Sequence, residues 1–120
     1  MILIIGGACQ GKLDYAKETY GLAEEEIFTC TGADIDFSRR CINHIEEYVW
    51  ANPDALSHFR EHRPEWESSI LICQDLSSGV VPMGAENRAW RQNTGRLCQY
   101  LAKEADTVIR IFCGLEQRLK

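Results

Sequence analysis

Short runs of apolar residues alternate along this chain with longer segments of mixed polarity. Residues 2–5 form an uninterrupted apolar run, and mostly apolar runs cover residues 69–73 and 107–113, in which Ser69, Thr107 and Arg110 are the polar members. Runs of this kind are typical of strands buried on both faces of a parallel sheet. The pattern predicts strands at these three places and another over residues 27–31 that ends at Gly32.

Between the predicted strands, apolar residues recur at the spacing of an amphipathic helix. Glycine and proline mark the boundaries: Gly21 closes the first helical segment, Pro64 marks the exit from the third, and Gly79 and Pro82 break the chain before the fourth. The predicted helices begin after Lys12, run from Phe37 to Trp50, cover residues 53–63 with mostly polar residues, and cover residues 86–104.

This order of elements predicts a fold class. Strands that alternate with helices imply a mainly parallel sheet with helices on both faces. We therefore expect a single domain over residues 1–120, a three-layer α/β/α arrangement of the P-loop NTPase kind with about four or five strands. In such a sheet, ligands bind beyond the carboxyl ends of the strands.

The loop after the first strand carries a phosphate-binding pattern. Gly6, Gly11 and Lys12 satisfy Gly-x-x-x-x-Gly-Lys, in which backbone N–H groups surround phosphate oxygens and the lysine reaches the terminal ones. The alternative is a glycine turn that binds nothing, although a plain turn has no use for a lysine here. The candidate nucleotide-binding residues are Gly6, Gly7, Ala8, Cys9, Gln10, Gly11, Lys12 and Leu13.

One part of the pattern is missing. Leu13 stands where the motif has Ser or Thr, whose hydroxyl normally ligates Mg²⁺. A metal bound with ATP or GTP would then depend on water, phosphate and another side chain. Asp75, at the end of an apolar strand, is the predicted metal partner. The alternative for Asp75 is a solvated turn residue that caps the next segment of the chain.

Composition narrows the function classes. The 120 residues carry a net charge of −5, whereas proteins that bind nucleic acid through its phosphates usually display a clustered basic face. We therefore expect no nucleic-acid partner. The first apolar run is too short for a signal peptide or a membrane span. These features predict a cytoplasmic protein.

Six cysteines raise the question of zinc or disulfides. No Cys-x-x-Cys pair occurs, and several cysteines lie inside apolar runs, as Cys73 does. Buried reduced thiols are the favoured interpretation. Cys9 differs because it lies inside the glycine loop, where it is either a small filler or a reactive thiol, and we favour the filler.

The second half of the chain is more specific than a general nucleotide-binding fold. It resembles the bifunctional adenosylcobinamide kinase / adenosylcobinamide-phosphate guanylyltransferase family of cobalamin biosynthesis, and the N-terminal glycine loop looks like that family's phosphate loop. The resemblance covers residues 1–20 and about 69–120. Its matching positions are Gly79-Val-Val-Pro82, Arg88, Trp90-Arg91, Gly95-Arg96, Gln99, Leu101-Ala102, Ala105-Asp106, Val108, Gly114 and Leu119-Lys120.

The resemblance implies two reactions. Members of the family use ATP or GTP to phosphorylate the aminopropanol arm of adenosylcobinamide, and then transfer GMP from GTP through a guanylylated histidine. By resemblance, Lys12 would hold phosphates and Asp75 would lie near the metal. The implied partners are Mg²⁺, a nucleoside triphosphate and an adenosylcobinamide-type substrate, and a homo-oligomer is expected.

Three histidines are candidates for the nucleophile. His44 lies four residues after Arg40, a spacing like the family's Arg-x-x-x-His segment, and its imidazole is the predicted catalytic nucleophile beside Lys12. His58 and His62 precede a segment that resembles the family's Arg-Pro-x-x-Trp element. For each histidine the alternative is a surface or packing role.

Three functional hypotheses remain. The leading one is a transferase of the cobinamide kinase/guanylyltransferase type. Leu13 and a chain shorter than is usual in the family support an alternative, a catalytically reduced relative that binds nucleotide or a partner. The third is a structural subunit that associates through the long helix.

Overall fold

The computed structural model describes residues 1–8, 10–76 and 84–120 of the chain. Its strands are β1 (Ile2–Gly6), β2 (Ile27–Thr29), β3 (Cys41–Asn43), β4 (Ile70–Gln74), β5 (Thr107–Phe112) and β6 (Leu115–Arg118). Its α-helices are α1 (Lys12–Tyr20), α2 (Ile45–Ala51), α3 (Ala55–Glu61), α4 (Arg63–Trp66) and α5 (Ala85–Glu104). A 3₁₀ turn, Glu24–Glu26, precedes β2.

The described strands form one sheet in the order β2-β3-β4-β1-β5-β6. The first five strands are parallel, and β6 pairs antiparallel with β5. The predicted class, a mixed α/β fold of the P-loop kind with a mainly parallel sheet, is confirmed, with six strands where the sequence predicts four or five. In the described ranges, no helix has the length and apolar character to span a membrane.

Helices cover both faces of the sheet. On one face, Ala16 of α1 packs against Ile4, Ile72 and Ile109. On the other face, side chains of α2, α3, α4 and α5 pack with Leu3 and Leu71, as successive residues of a strand point to opposite faces. The described helices are therefore distributed unevenly, with α1 on one side and the other four opposite it.

Trp66 organises the thicker layer. Its side chain is fully buried, and its indole Nε1 donates a hydrogen bond to the carbonyl oxygen of Phe59 at 2.7 Å. The rings of Phe59 and Trp66 lie 6.0 Å apart, and Tyr100 of α5 approaches Trp66 edge-on at 6.1 Å. This aromatic group fixes α3 and α4 against α5.

The helix predicted from Phe37 to Trp50 is wrong in its first half. Residues 41–43 form β3, and α2 begins only at Ile45. Cys41 packs in the α1 layer whereas Ile45 packs in the opposite layer, so residues at helical spacing do not share a face. Pairing of β3 with β2 and β4 prevails over the local periodicity.

Other boundaries also differ from the predictions. Pro64 lies in the first turn of α4, where its missing N–H costs nothing, and does not end a helix. Strand β6 was missed because all four of its residues are exposed and its sequence carries no apolar run. The break predicted at Gly79 and Pro82 lies outside the described residues.

A matched pair of leucines tests the position of the core. Leu71 is fully buried in β4, whereas Leu115 of β6 is 72% exposed. We expect Leu71→Ala to lower the free energy of unfolding by about 2 to 5 kcal/mol, because it leaves a cavity. Leu115→Ala should change it by less than about 0.5 kcal/mol. Urea denaturation of both variants measures the difference, and equal losses would contradict this core.

Candidate functional site

The phosphate-binding pattern begins at a position that only glycine fits. A Cβ atom on Gly6 would stand 2.5 Å from the carbonyl oxygen of Ile111 in β5. On the other side, the carbonyl oxygen of Gly6 accepts a hydrogen bond from the N–H of Asp75 at 2.7 Å. The last residue of β1 is thus enclosed by the chain segments on both sides, and the loop must leave the sheet from this point.

The loop ends at a second glycine with a special conformation. Gly11 is the N-cap of α1, and its φ of 88° lies in the left-handed region that favours glycine. Its carbonyl oxygen accepts the N–H of Tyr15, so α1 starts immediately. The first-turn N–H groups of a helix attract anions. The ammonium of Lys12 lies over this loop and donates to the carbonyl oxygen of Gly7 at 2.6 Å.

The tip between β5 and β6 braces the loop from outside. The N–H of Cys113 donates to the side-chain oxygen of Gln10, and the N–H of Gly114 donates to the carbonyl oxygen of Gln10 at 3.0 Å. Tyr15 of α1 donates its hydroxyl to the carboxylate of Glu116 at 2.5 Å. Sequence analysis names Gly114 as a position of the family resemblance and Gln10 as a candidate nucleotide-binding residue, but it does not predict the contact between them.

His44 lies in a sharp turn between a strand and a helix. It follows β3 directly, has a φ of 57°, and is the N-cap of α2. A left-handed conformation is unusual for histidine and costs about 1 to 3 kcal/mol, so the surrounding structure must hold it. The helical periodicity predicts His44 inside a helix, and the structure corrects this to an exposed turn.

The structure brings Lys12 and His44 together. Both line a surface cleft of about 180 Å³, which α1 borders on one side and the β3–α2 turn on the other. Five of its seven lining residues come from the glycine loop and α1. The complete lining is Gln10, Gly11, Lys12, Leu13, Asp14, Asn43 and His44.

A buried carboxylate holds the α2 end of this cleft. Glu46 is 3% exposed, and its Oε1 accepts the N–H of Gln74 at 2.9 Å. Its carbonyl oxygen accepts the indole N–H of Trp90 at 2.7 Å. A longer β3 would offer a backbone carbonyl oxygen to the N–H of Gln74. Because β3 ends at Asn43, the carboxylate of Glu46 accepts that hydrogen bond instead. Sequence analysis missed Glu46 because Glu47 follows it directly, and nothing local shows which of the two carboxylates is buried.

Asp75 lies on the other side of the loop's first residue. Its side chain borders a groove of about 300 Å³ between β4 and α5, and it is absent from the lining of the cleft that holds Lys12 and His44. In residues 1–8, 10–76 and 84–120, no group of three or more His, Cys, Asp or Glu side chains could hold a metal ion. A metal here would need nucleotide oxygens or water among its ligands.

The other two histidines lie in helix contacts. The Nδ1 atom of His58 shares a hydrogen bond with the hydroxyl of Tyr48 at 2.6 Å, and its Nε2 atom lies 3.1 Å from a carboxylate oxygen of Asp54. His62 pairs with Glu65 and stacks on Phe37, with ring centroids 4.6 Å apart. Neither His58 nor His62 lines the cleft, and their contacts agree with the packing role that the sequence analysis gave as the alternative.

Most described cysteines are apolar side chains of the core. Cys30, Cys41 and Cys73 are buried free thiols, as predicted. Burial raises the pKa of Cys30 and of Cys41 to about 12, so both remain protonated at neutral pH. Cys113 is exposed at the β5–β6 tip, contrary to the expectation for its apolar run. Cys9 lies outside the described residues.

Comparison with known families gives a match over the second half of the chain. The family model described as cobinamide kinase / cobinamide phosphate guanyltransferase matches residues 54–119, more than half of the chain. The chain belongs to this family. Membership of the cobinamide kinase family supports a transferase role in cobalamin biosynthesis. The matched range includes Asp75, α5 and the β5–β6 hairpin, whereas Lys12 and His44 precede it. The comparison with curated proteins finds no match.

Two neighbouring glycines test the geometry of the loop. We expect Gly6→Ala to destabilise the fold by about 1 to 3 kcal/mol, because the new methyl group meets the Ile111 carbonyl oxygen. Gly7→Ala is the control, since its Cβ would meet only Gln10 Cγ at 3.7 Å, an ordinary contact. Urea denaturation compares the variants. A Gly6→Ala protein as stable as Gly7→Ala would show that β5 does not enclose the end of β1.

Proposed function

We propose that the chain is a nucleotide-dependent cobinamide kinase and guanylyltransferase that binds ATP or GTP in the cleft between the glycine loop and His44. The observation that carries the proposal is the presence of Lys12 and His44 in one cleft, at the carboxyl edge of a parallel sheet. Family membership supplies the substrate class, a cobinamide. The loop and the histidine supply a place for the nucleotide.

Phosphate binding follows from the loop's backbone. The N-terminal turn of α1 starts at Lys12 and offers N–H groups to an anion. The Lys12 ammonium, held by the carbonyl oxygen of Gly7, lies where it can exchange that neutral acceptor for a charged phosphate oxygen. A charged acceptor makes the stronger hydrogen bond. The triphosphate would therefore lie along residues 7–12.

The kinase step is a transfer from nucleotide to alcohol. The hydroxyl oxygen of the cobinamide forms a bond to the γ-phosphorus, the bond from that phosphorus to the β,γ-bridging oxygen breaks, and nucleoside diphosphate leaves. The hydroxyl proton passes to a carboxylate or to water, and Asp75, at the same edge of the sheet, is our candidate for that group or for a ligand of the metal.

Mg²⁺ is the expected companion of the triphosphate. The donors fit in part: Asp75 and Asp14 offer carboxylate oxygens near the loop, while Leu13 offers none. When bound, the ion would neutralise charge on the phosphates. The protein's own contribution is to hold the nucleotide through the loop and to orient the acceptor.

The guanylyl transfer would use His44. An unprotonated imidazole nitrogen forms a bond to the α-phosphorus of GTP, the bond to the α,β-bridging oxygen breaks, and pyrophosphate leaves. A phosphate oxygen of cobinamide phosphate then displaces the imidazole and restores His44. The exposed turn suits this role, because the imidazole is not covered by other side chains.

Lysine substitutions test nucleotide binding. We expect Lys12→Met to raise the dissociation constant for GTP with Mg²⁺ by about 10- to 100-fold, because a charge-assisted phosphate contact is lost. Lys17→Met is the matched control, as Lys17 lies on the same helix and pairs with exposed Glu24. Isothermal titration calorimetry measures both. Equal affinity in the two variants would place the triphosphate elsewhere.

Histidine substitutions test the nucleophile. We expect radiolabelled GTP to leave GMP bound to the protein, stable to alkali and labile to acid, and His44→Asn to abolish this adduct. His62→Asn is the control and should retain it, since His62 is engaged by Phe37 and Glu65. An adduct that survives His44→Asn, or is lost only with His62→Asn, would contradict the assignment.

A second function is favoured by Leu13. Because this side chain gives the metal no oxygen, a reduced relative that binds nucleotide without turnover is the alternative. Incubation of the protein with adenosylcobinamide and labelled GTP separates the two. Phosphorylated product excludes the alternative, whereas nucleotide binding without product or adduct supports it.

A further inference from the structure

Strand β6 forms one edge of the sheet as the structure describes it. It lies at the end of the strand order and pairs with β5 alone among the described strands. All four of its residues are exposed. An edge strand presents backbone N–H and C=O groups that can pair with a strand of another chain.

Exposed apolar side chains gather at this edge. Of the four large apolar residues most exposed in the described ranges, three are Phe112, Leu115 and Leu119. Phe112 lies opposite Leu115 in the β5–β6 pair, and Leu119 continues the line of β6 because its N–H donates to the carbonyl oxygen of Val108 at 2.8 Å. Alternation along the strand places Leu115 and Leu119 on the same face. A row of exposed apolar side chains of this kind indicates a contact surface.

The backbone of β6 determines which residues can bind a further strand. In an antiparallel pair, hydrogen-bonded and non-hydrogen-bonded residue pairs alternate. The hydrogen bond from Leu119 to Val108 sets this alternation, so every second residue back from Leu119 bonds toward β5. The N–H and C=O groups of Glu116 and Arg118 therefore point to the open edge.

The sequence of this edge is complementary to itself. Around Gln117 it reads leucine, glutamate, glutamine, arginine, leucine. In an antiparallel pair with a second copy centred on Gln117, Glu116 lies opposite the partner's Arg118, and Leu115 lies opposite the partner's Leu119. Each pair of Glu116 with Arg118 exchanges two backbone hydrogen bonds through the groups at the open edge. Opposite charges and apolar side chains placed directly across from each other stabilise a sheet.

Charge disfavours the neighbouring alignments. The backbone groups at the open edge also permit a two-fold axis at Glu116 or at Arg118. These axes place two carboxylates or two guanidinium groups directly opposite each other, and like charges in that position destabilise a sheet. The axis at Gln117 satisfies both the backbone and the side chains.

We propose that two copies of this chain pair through β6 as an antiparallel two-fold dimer centred on Gln117, which joins their two six-stranded sheets into one. The partner is a second copy because the charges and leucines of β6 match their own reversed order. The interface is small, so we expect a dimer dissociation constant of about 1 to 100 µM. Below that range the chain is a monomer, and the small effect of Leu115→Ala on unfolding applies to the single copy.

Charge reversal tests the pairing. Glu116→Arg and Arg118→Glu each place like charges opposite each other, and each should raise the dimer dissociation constant at least about tenfold. The double variant exchanges the two charges, restores both pairs and should return the constant to within about threefold of the parent. Tyr15→Phe is the control for the hydrogen bond that Glu116 accepts from Tyr15, and it should leave the constant unchanged. Analytical ultracentrifugation of the full chain measures all four variants.

A cysteine at the axis gives a second test. Gln117 faces its own copy in a non-hydrogen-bonded pair, whose Cα atoms lie about 4.5 Å apart, within the range of a disulfide. With diamide as the oxidant, which takes up the two thiol hydrogens, Gln117→Cys should form a covalent dimer on a non-reducing gel. It should do so at least about ten times faster than the parent, which retains the exposed Cys113, and than Gln92→Cys, whose new thiol is exposed on α5.

Each outcome supports or overturns the proposal. Circular dichroism verifies that every variant is folded, and the cross-linking of Gln117→Cys decides if a charge variant is not. A parent that remains monomeric at concentrations far above the expected range overturns the proposal. An oligomer that neither single reversal weakens, or a double variant no better than the single ones, also overturns it, because the contact then lies on another surface.

Discussion

The close approach of β5 to the end of β1 is the constraint on which the candidate site depends. The Ile111 carbonyl oxygen occupies the space next to Gly6 that any side chain would need. Asp75 closes the other side through its N–H. Since β1 is central in the sheet, the glycine loop leaves from the middle of the carboxyl edge and passes directly into α1.

Neighbouring segments of the chain then hold the glycine loop and the turn at His44 in place. The β5–β6 tip binds both the side chain and the backbone of Gln10. Glu46 ties the first turn of α2 to the end of β4, which keeps His44 in its left-handed turn facing the cleft. A preorganised site of this kind contributes to phosphoryl transfer mainly through positioning and electrostatics.

Two separate depressions lie at this edge of the sheet. The cleft toward α1 carries Lys12 and His44, and the groove toward α5 carries Asp75 and Thr94. A transfer between a nucleotide and an alcohol needs both reactants at one edge with their reacting atoms in contact.

The sequence predicts the buried parts of this molecule well and the exposed parts poorly. Apolar runs located β1, β4 and β5, and the glycine spacing located the loop, because these signals are local. Strand β3 was hidden in an apparent helical repeat, since only pairing with β2 and β4 makes residues 41–43 a strand. The exposed strand β6 had no hydrophobic signal.

In the candidate site, too, features with a local sequence signal are predicted, whereas features that depend on distant contacts are not. Motif, spacing and resemblance point to Lys12, His44 and Asp75, but they do not reveal that the first two share a cleft and that Asp75 borders a different groove. Those facts depend on strand order and on the turn at His44. Gln10 and Glu46 were missed because their partners, Cys113 and Gln74, are distant in sequence.

A crystal structure of the protein soaked with GTP and Mg²⁺ tests the central claim most directly. We predict electron density for the phosphates along residues 6–12 and a His44 ring nitrogen at the α-phosphorus, in contact or covalently bonded. Nucleotide density away from this loop, or a phosphorus bonded to a different histidine, would contradict the account.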